Sequence, residues 1–170
     1  MFNNNQNYSI LLILLKIKKQ NGFTLIELLI VILILSILYL VSLPTFMGQV
    51  GKSRELEAKS NLGAIARSQQ AYHFEKQIFA TTLNELNLDF DFTSKYYNFP
   101  SASVGNTTIV KHQAIPKNPD IDQVKNYAVG VYYDDALFQI SFCQAYNLNQ
   151  PVDVGNTPSG DCTNNGIKLR

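Results

Sequence analysis

The 170-residue chain has only two cysteines and two histidines. Two cysteines, Cys143 and Cys162, are too few for a cysteine-rich scaffold or an all-cysteine zinc site. They suffice for one disulfide, which would place this part of the chain in an oxidising compartment. The chain also lacks an HExxH motif, a phosphate-cradling glycine loop and a paired-cysteine metal motif. His73 lies beside Tyr72 and Phe74 in a helical pattern and reads as a surface or packed residue, and His112 has no catalytic companion. Asp134 and Asp135 read as turn formers, and Asp89 and Asp91 invite no stronger interpretation. No catalytic set, metal site or cofactor site is therefore expected. A net charge of +1 gives no reason to propose nucleic-acid binding. The nine tyrosines and ten phenylalanines are not interleaved with a concentrated basic patch, so DNA binding has no local support. Asn106-Thr-Thr has the form of a glycosylation sequon and is weak evidence by itself.

Charge is missing altogether from one long stretch, with a single exception. Between Phe23 and Leu43 the only charged side chain is Glu27. As a helix, these residues would be about 31 Å long at roughly 1.5 Å per residue, matching a bilayer core of roughly 30 Å. Residues 1–22 contain Lys16, Lys18 and Lys19 and no acid. Taking those three from the 14 basic residues leaves 11 against 13 acidic ones, a formal −2 for the remainder. Lysines flanking a membrane helix mark its cytoplasmic side. That puts the N-terminus inside and residues 50–170 outside, in agreement with the disulfide reading. The apolar run is longer than a signal-peptide core, and no Ala-x-Ala site follows it. A carboxylate in hydrocarbon is costly unless it is protonated, paired or near the interface. Position alone leaves two readings of Glu27: an interfacial charge, or a group with a partner in another chain.

The string Lys18-Lys19-Gln20-Asn21-Gly22-Phe23-Thr24-Leu25-Ile26-Glu27 resembles the processing site of type IV prepilins and pseudopilins. In that family a short basic leader ends in Gly, followed by Phe, Thr, Leu, an aliphatic residue, Glu and a long apolar helix. The resemblance implies that a prepilin peptidase cuts after Gly22 and N-methylates Phe23. Residues 23–170 would remain, with Glu27 fifth. It also implies an inner-membrane precursor that polymerises with copies of itself or with other pilins into a helical filament. The amine of Phe23 in one subunit could then neutralise Glu27 of its neighbour and fix axial register. The leader differs slightly from the simplest pattern, because Ile10–Leu15 forms its own apolar stretch. Residues 52–72 and 127–134 also resemble cyanobacterial type IV pilins.

Past the apolar run, Pro44 removes one helical hydrogen bond and should kink or locally melt the helix, and Gly48 and Gly51 add flexibility. By resemblance, Pro44 and Gly48 mark the hinge. From Lys52 to about Lys76, Ala58, Leu62, Ile65, Gln69 and Tyr72 fall on one stripe, and Glu55 and Lys59 form an i,i+4 pair. Asn84–Asp91 reads as a loop or short turn, Tyr96–Phe99 and Thr108–Lys111 as short strands, and Ser101–Thr108 as a loop. Pro116 and Pro119 favour a connection. Tyr127–Tyr133 and Leu137–Cys143 should form an antiparallel hairpin around Asp134-Asp135-Ala136. Residues 147–166 are turn-rich, with Cys162 bonding back to Cys143.

The expected fold is α+β and pilin-like: a long N-terminal membrane and bundle helix, kinked near Pro44, packed against a small antiparallel sheet. Its expected parts are a removable leader (1–22), an apolar transmembrane or filament-core helix (23–43), an amphipathic helix (44–77) and a β-containing domain with a C-terminal disulfide loop (78–170). The leading function is a structural pilus subunit supporting attachment or motility. The alternatives are a pseudopilin of a type II secretion or DNA-uptake apparatus, and a membrane-anchored binding module or enzyme that never polymerises.

Overall fold

A computed structural model describes residues 22–86, 88 and 94–169. Lys16, Lys18, Lys19, Asp89 and Asp91 lie outside the described residues. The chain divides into two compact units, Met1–Pro44 and Thr45–Arg170.

Helix α1 spans Leu25–Lys76 and contributes to both units. In the first unit the window Leu25–Ser42 has a mean hydropathy of 2.8, and none of it is buried. Apolar residues on every side suit a helix whose surroundings are lipid or other helices. The helical assignment continues through Pro44 and Gly48.

In the second unit the same helix is amphipathic. Ala58, Leu62, Ile65 and Gln69 are fully buried, and Tyr72 is partly so. The helix ends where Gln77 takes a left-handed conformation (φ 58°) and donates its backbone N–H to the His73 carbonyl. The expected Glu55–Lys59 pair is not formed. Glu55 turns inward and accepts a hydrogen bond from the Lys125 backbone N–H at 3.0 Å. Lys59 instead lies over the ring of Tyr127, 5.2 Å from its centroid. Nor does Gly51 act as a flexible spacer. It is buried, and a Cβ there would lie 2.5 Å from the Gln123 carbonyl oxygen.

The sheet is antiparallel throughout. Its strands are β1 (Tyr97–Asn98), β2 (Val104–Gly105), β3 (Ile109–Pro116), β4 (Tyr127–Asp134), β5 (Leu137–Gln144) and β6 (Ile167–Leu169). They lie in the order β1-β3-β4-β5-β6, with β2 also against β3. The expected hairpin is β4–β5, with Tyr127 opposite Gln144 and Asp134 opposite Leu137. Its two-residue turn has positive φ at both Asp135 (46°) and Ala136 (62°), which matches the right-handed twist of the strands.

Three expectations need correction. The strand placed at Thr108–Lys111 runs on to Pro116, because Gln113–Pro116 find partners in β1 and β4. Proline is tolerated there because it ends the strand. Pro119 opens a four-residue helix, α2 (Pro119–Asp122), rather than a plain connection. The short strands β2 and β6 lie in stretches read as loop and turn-rich or beyond them; each is recruited by a longer neighbour.

Strand β4 is buried on both sides, which explains its nearly continuous apolar sequence. Tyr127, Val129 and Val131 join Val110, Ala114 and the helix residues in the main core. Ala128 and Tyr132 share a second core with Ile109, Cys143, Ala145, Val152 and Val154. The C-terminal segment therefore covers the sheet face opposite the helix. Gly130 makes this close packing feasible: a Cβ there would come within 2.7 Å of both the Tyr132 hydroxyl and the Val154 side chain.

Candidate functional site

The segment with the strongest chemical signature is the start of α1. Gly22, Phe23 and Thr24 precede the helix, and all three are exposed. Thr24 closes the helix start. Its Oγ1 accepts the Glu27 backbone N–H at 3.3 Å, and its carbonyl accepts the N–H groups of Glu27 (3.1 Å) and Leu28 (3.2 Å). Thr24-Leu25-Ile26-Glu27 has the Thr-x-x-Glu pattern of a capping box. That signal was legible in the sequence and adds Thr24 to the functional residues. The cap begins the helix at Leu25 and leaves the Gly22–Phe23 peptide bond outside it. Among the described residues, nothing lies within 4 Å of a Cβ built on Gly22, so they do not require a glycine there for packing.

Glu27 is exposed, and its Oε2 faces the Thr24 hydroxyl at 3.5 Å. Among the described residues it forms no ion pair; the one present is Arg54–Asp122, at 3.2 Å. A carboxylate four residues beyond Phe23, with no ion pair among the described residues, can still accept a cation from outside. Phe23 is 69% exposed and contributes apolar surface just ahead of the helix.

The remaining sites named from the sequence are structural in this arrangement. Cys143 and Cys162 form a disulfide with Cα atoms 5.8 Å apart, tying the C-terminal segment to β5. Two cations hold the same segment. Lys111 is buried, and its Nζ donates to the Val154 carbonyl (2.9 Å) and Asn156 Oδ1 (2.8 Å). Lys168 Nζ donates to the Pro158 carbonyl (2.6 Å) and the Gly160 carbonyl (3.2 Å). Sequence reasoning missed Lys111 because a lysine in a strand gives no sign that its amine is buried.

His73 packs between Phe79, Tyr133 and Phe138, and its Nε2 donates to the Thr107 carbonyl at 2.8 Å. His112 is buried beneath α1. Gln69 pairs with the Ala80 backbone through both ends of its amide, and its Nε2 also reaches His112 Nε2 at 2.8 Å. Because the Gln69 amide nitrogen is the donor, His112 Nε2 must accept and be unprotonated. Burial pushes the His112 pKa down to about 4. Burial also raises the Tyr127 phenol well above its ordinary value, and the negative charge of Glu55 raises it further. Both groups are thus neutral packing elements at neutral pH. Among the described residues, no three His, Cys, Asp or Glu side chains come together as a metal site. Asp134 and Asp135 lie at the hairpin turn, as expected.

Comparison with known proteins agrees with this geometry. Residues 17–42 match the prokaryotic N-terminal methylation motif, and residues 55–161 match the type IV pilin-like G and H family. The type IV major pilin protein PilA of Myxococcus xanthus is 32% identical over 98 residues, which is 58% of this chain and 44% of that protein. The type II secretion system core protein G of Vibrio cholerae is 31% identical over 67 residues, 39% of this chain and 46% of that protein. Its counterpart from Aeromonas hydrophila is 34% identical over 65 residues, 38% and 46% respectively. The aligned stretches span less than half the length of each of these relatives. Pilins and pseudopilins are structural rather than catalytic proteins. The methylation motif, the exposed apolar helix, the helix-on-sheet unit and the family match together place the chain in the type IV pilin and pseudopilin family.

Proposed function

We propose that this chain is the precursor of a structural type IV pilus subunit, similar in residues 52–72 and 127–134 to cyanobacterial pilins. A prepilin peptidase cuts after Gly22 and methylates Phe23. The apolar helix holds the subunit in the inner membrane, with its N-terminus cytoplasmic and its outer domain periplasmic. It then leaves lipid to become the core of an extracellular filament supporting attachment or motility. The observation that carries this reading is the junction itself: a capped, exposed Gly-Phe-Thr-Leu-Ile-Glu site runs directly into a helix whose apolar window is entirely unburied. Such a helix must be covered by lipid or by its own kind. The charged amine at Phe23 would lie about 6 Å along the helix axis from Glu27. In a staggered bundle, the amine of one subunit can neutralise the carboxylate of the next. A buried pair of this sort contributes register more than adhesion, and breaking it is costly.

A second reading is a pseudopilin of a type II secretion apparatus, favoured by the two core protein G relatives. Mass spectrometry of sheared surface filaments separates the two. A dominant species starting at methylated Phe23 and containing the Cys143–Cys162 disulfide supports the pilus. Processed chain that stays with the cells and is absent from filaments supports the pseudopilus. Gly22→Ala meets no steric obstacle among the described residues and should leave at least a ten-fold excess of unprocessed precursor in the membrane. A product shortened to Phe23 at the normal rate would sink the processing claim.

A further inference from the structure

The outer unit has complementary groups at opposite ends of its hairpin. At one end is a pocket of about 470 Å³, lined by Gln49, Lys52, Ser53, Leu56 and Lys59 of α1 and by Gln144 at the end of β5. Lys52 is exposed and has no hydrogen bond or ion pair among the described residues. Among the described residues, Lys59 lies over the face of Tyr127 and has no ion pair. The carboxylate in the pocket wall, Glu55, is already engaged by the Lys125 backbone N–H. Between the two lysines, Leu56 is 62% exposed.

At the other end is the β4–β5 turn. Asp134 and Asp135 are exposed and have no ion pair or hydrogen bond from any described side chain. Leu137 beside them is 65% exposed. The turn's positive-φ residues pin these groups on a rigid two-residue loop.

A chain cannot bring its own turn to its own pocket. Gln144 and Leu137 are the two ends of one eight-residue strand, about 24 Å apart at roughly 3.4 Å per residue. The helix repeats the same separation. Lys125, just before β4, meets it at Glu55 near one end, and Tyr133 of β4 meets it at His73 near the other, about 27 Å apart along the axis. We infer that the occupant of the Lys52–Leu56–Lys59 pocket is the Asp134-Asp135-Ala136-Leu137 turn of a second copy. Two carboxylates would face two unpaired amines, and Leu137 would meet Leu56. The contact joins unlike patches, so it repeats head to tail rather than closing a two-fold dimer, and it extends a filament wherever its rotation does not close a ring. This rests on the polymerising reading above. It adds a contact between outer domains that is separate from the one at Glu27.

The test uses the full chain expressed in its own cells. Asp135→Lys and Lys52→Glu, each alone, should lower sheared filament yield ten-fold or more, with processing at Gly22 unchanged. The two together should restore at least half of the yield. Filaments carrying both Ala136→Cys and Lys52→Cys should give a ladder of disulfide-linked chains on non-reducing gels, and either substitution alone should not. Single reversals without effect, a combination no better than either reversal, or filaments without a ladder would each overturn the contact while leaving the pilin reading intact. If the unaltered chain enters no filament, both fail together.

Discussion

His112 shows how a single residue can be an electrostatic liability inside an apolar core. Its imidazole is buried, accepts from Gln69 and titrates near 4 because burial disfavours the charged form. The unfolded chain binds this proton near pH 6.5, so between 6.5 and 4 the unfolded state carries more protons than the folded one. Stability from this group is therefore complete above about pH 6.5 and declines as pH falls towards 4. The loss should be on the order of 3 kcal/mol at the acid end. Urea unfolding of the detergent-solubilised chain at several pH values checks this, and His112→Gln should flatten the slope in that window. Gly51 is the steric counterpart. Its missing Cβ lets α1 approach Gln123, next to the Arg54–Asp122 pair. Gly51→Ala should cost about 1–3 kcal/mol through overpacking despite the better helix propensity of alanine. An unchanged or raised urea midpoint would show that the contact relaxes freely. The stripe containing Gln69 was legible in the sequence. The inward turn of its amide, and the burial of His112 beneath it, were not, because neither leaves a periodic signal.

At the scale of elements, the hairpin was readable because β4 and β5 combine β-forming residues with a strong turn. The C-terminal segment was only half readable. Its turn-rich composition suggested a loop, and two cysteines suggested a staple, but nothing local indicated that Val152 and Val154 form a second core on the sheet. The disulfide, Lys111 and Lys168 are what hold that cover in place. Closing a loop of this length contributes roughly 3 kcal/mol in the chain-entropy model. Replacing Cys143 and Cys162 together by serine should lower stability by about that much and open residues 145–166 to limited proteolysis. Cleavage patterns identical to those of the oxidised chain would mean that the lysines and the second core suffice.

At the scale of the whole molecule, the two units pose different problems. The outer unit satisfies its own core. The apolar window does not, and Glu27 inside it has no cation from the described chain. Glu27→Ala should leave membrane insertion intact, because it removes the run's only charge, and should reduce incorporation into filaments at least ten-fold. Membrane fractionation and quantification of sheared filaments measure the two outcomes separately. Normal incorporation would eliminate the register contact and leave hydrophobic packing as the sole source of alignment.

By itself the sequence determined what depends on runs and neighbours. It specified a membrane-length helix, since 21 residues with one charge need no tertiary context. It also specified the helix stripe and the β4–β5 hairpin, both of which are local patterns. Tertiary structure alone decided what depends on distant residues meeting. It lengthened β3, recruited β2 and β6, buried Lys111 and His112, turned Glu55 away from Lys59 and made Gly51 a contact. It also set a pair of lysines and a pair of aspartates at opposite ends of one hairpin. The physical reason is the same in each case: burial and pairing arise when separate segments pack, and no period in the chain records them.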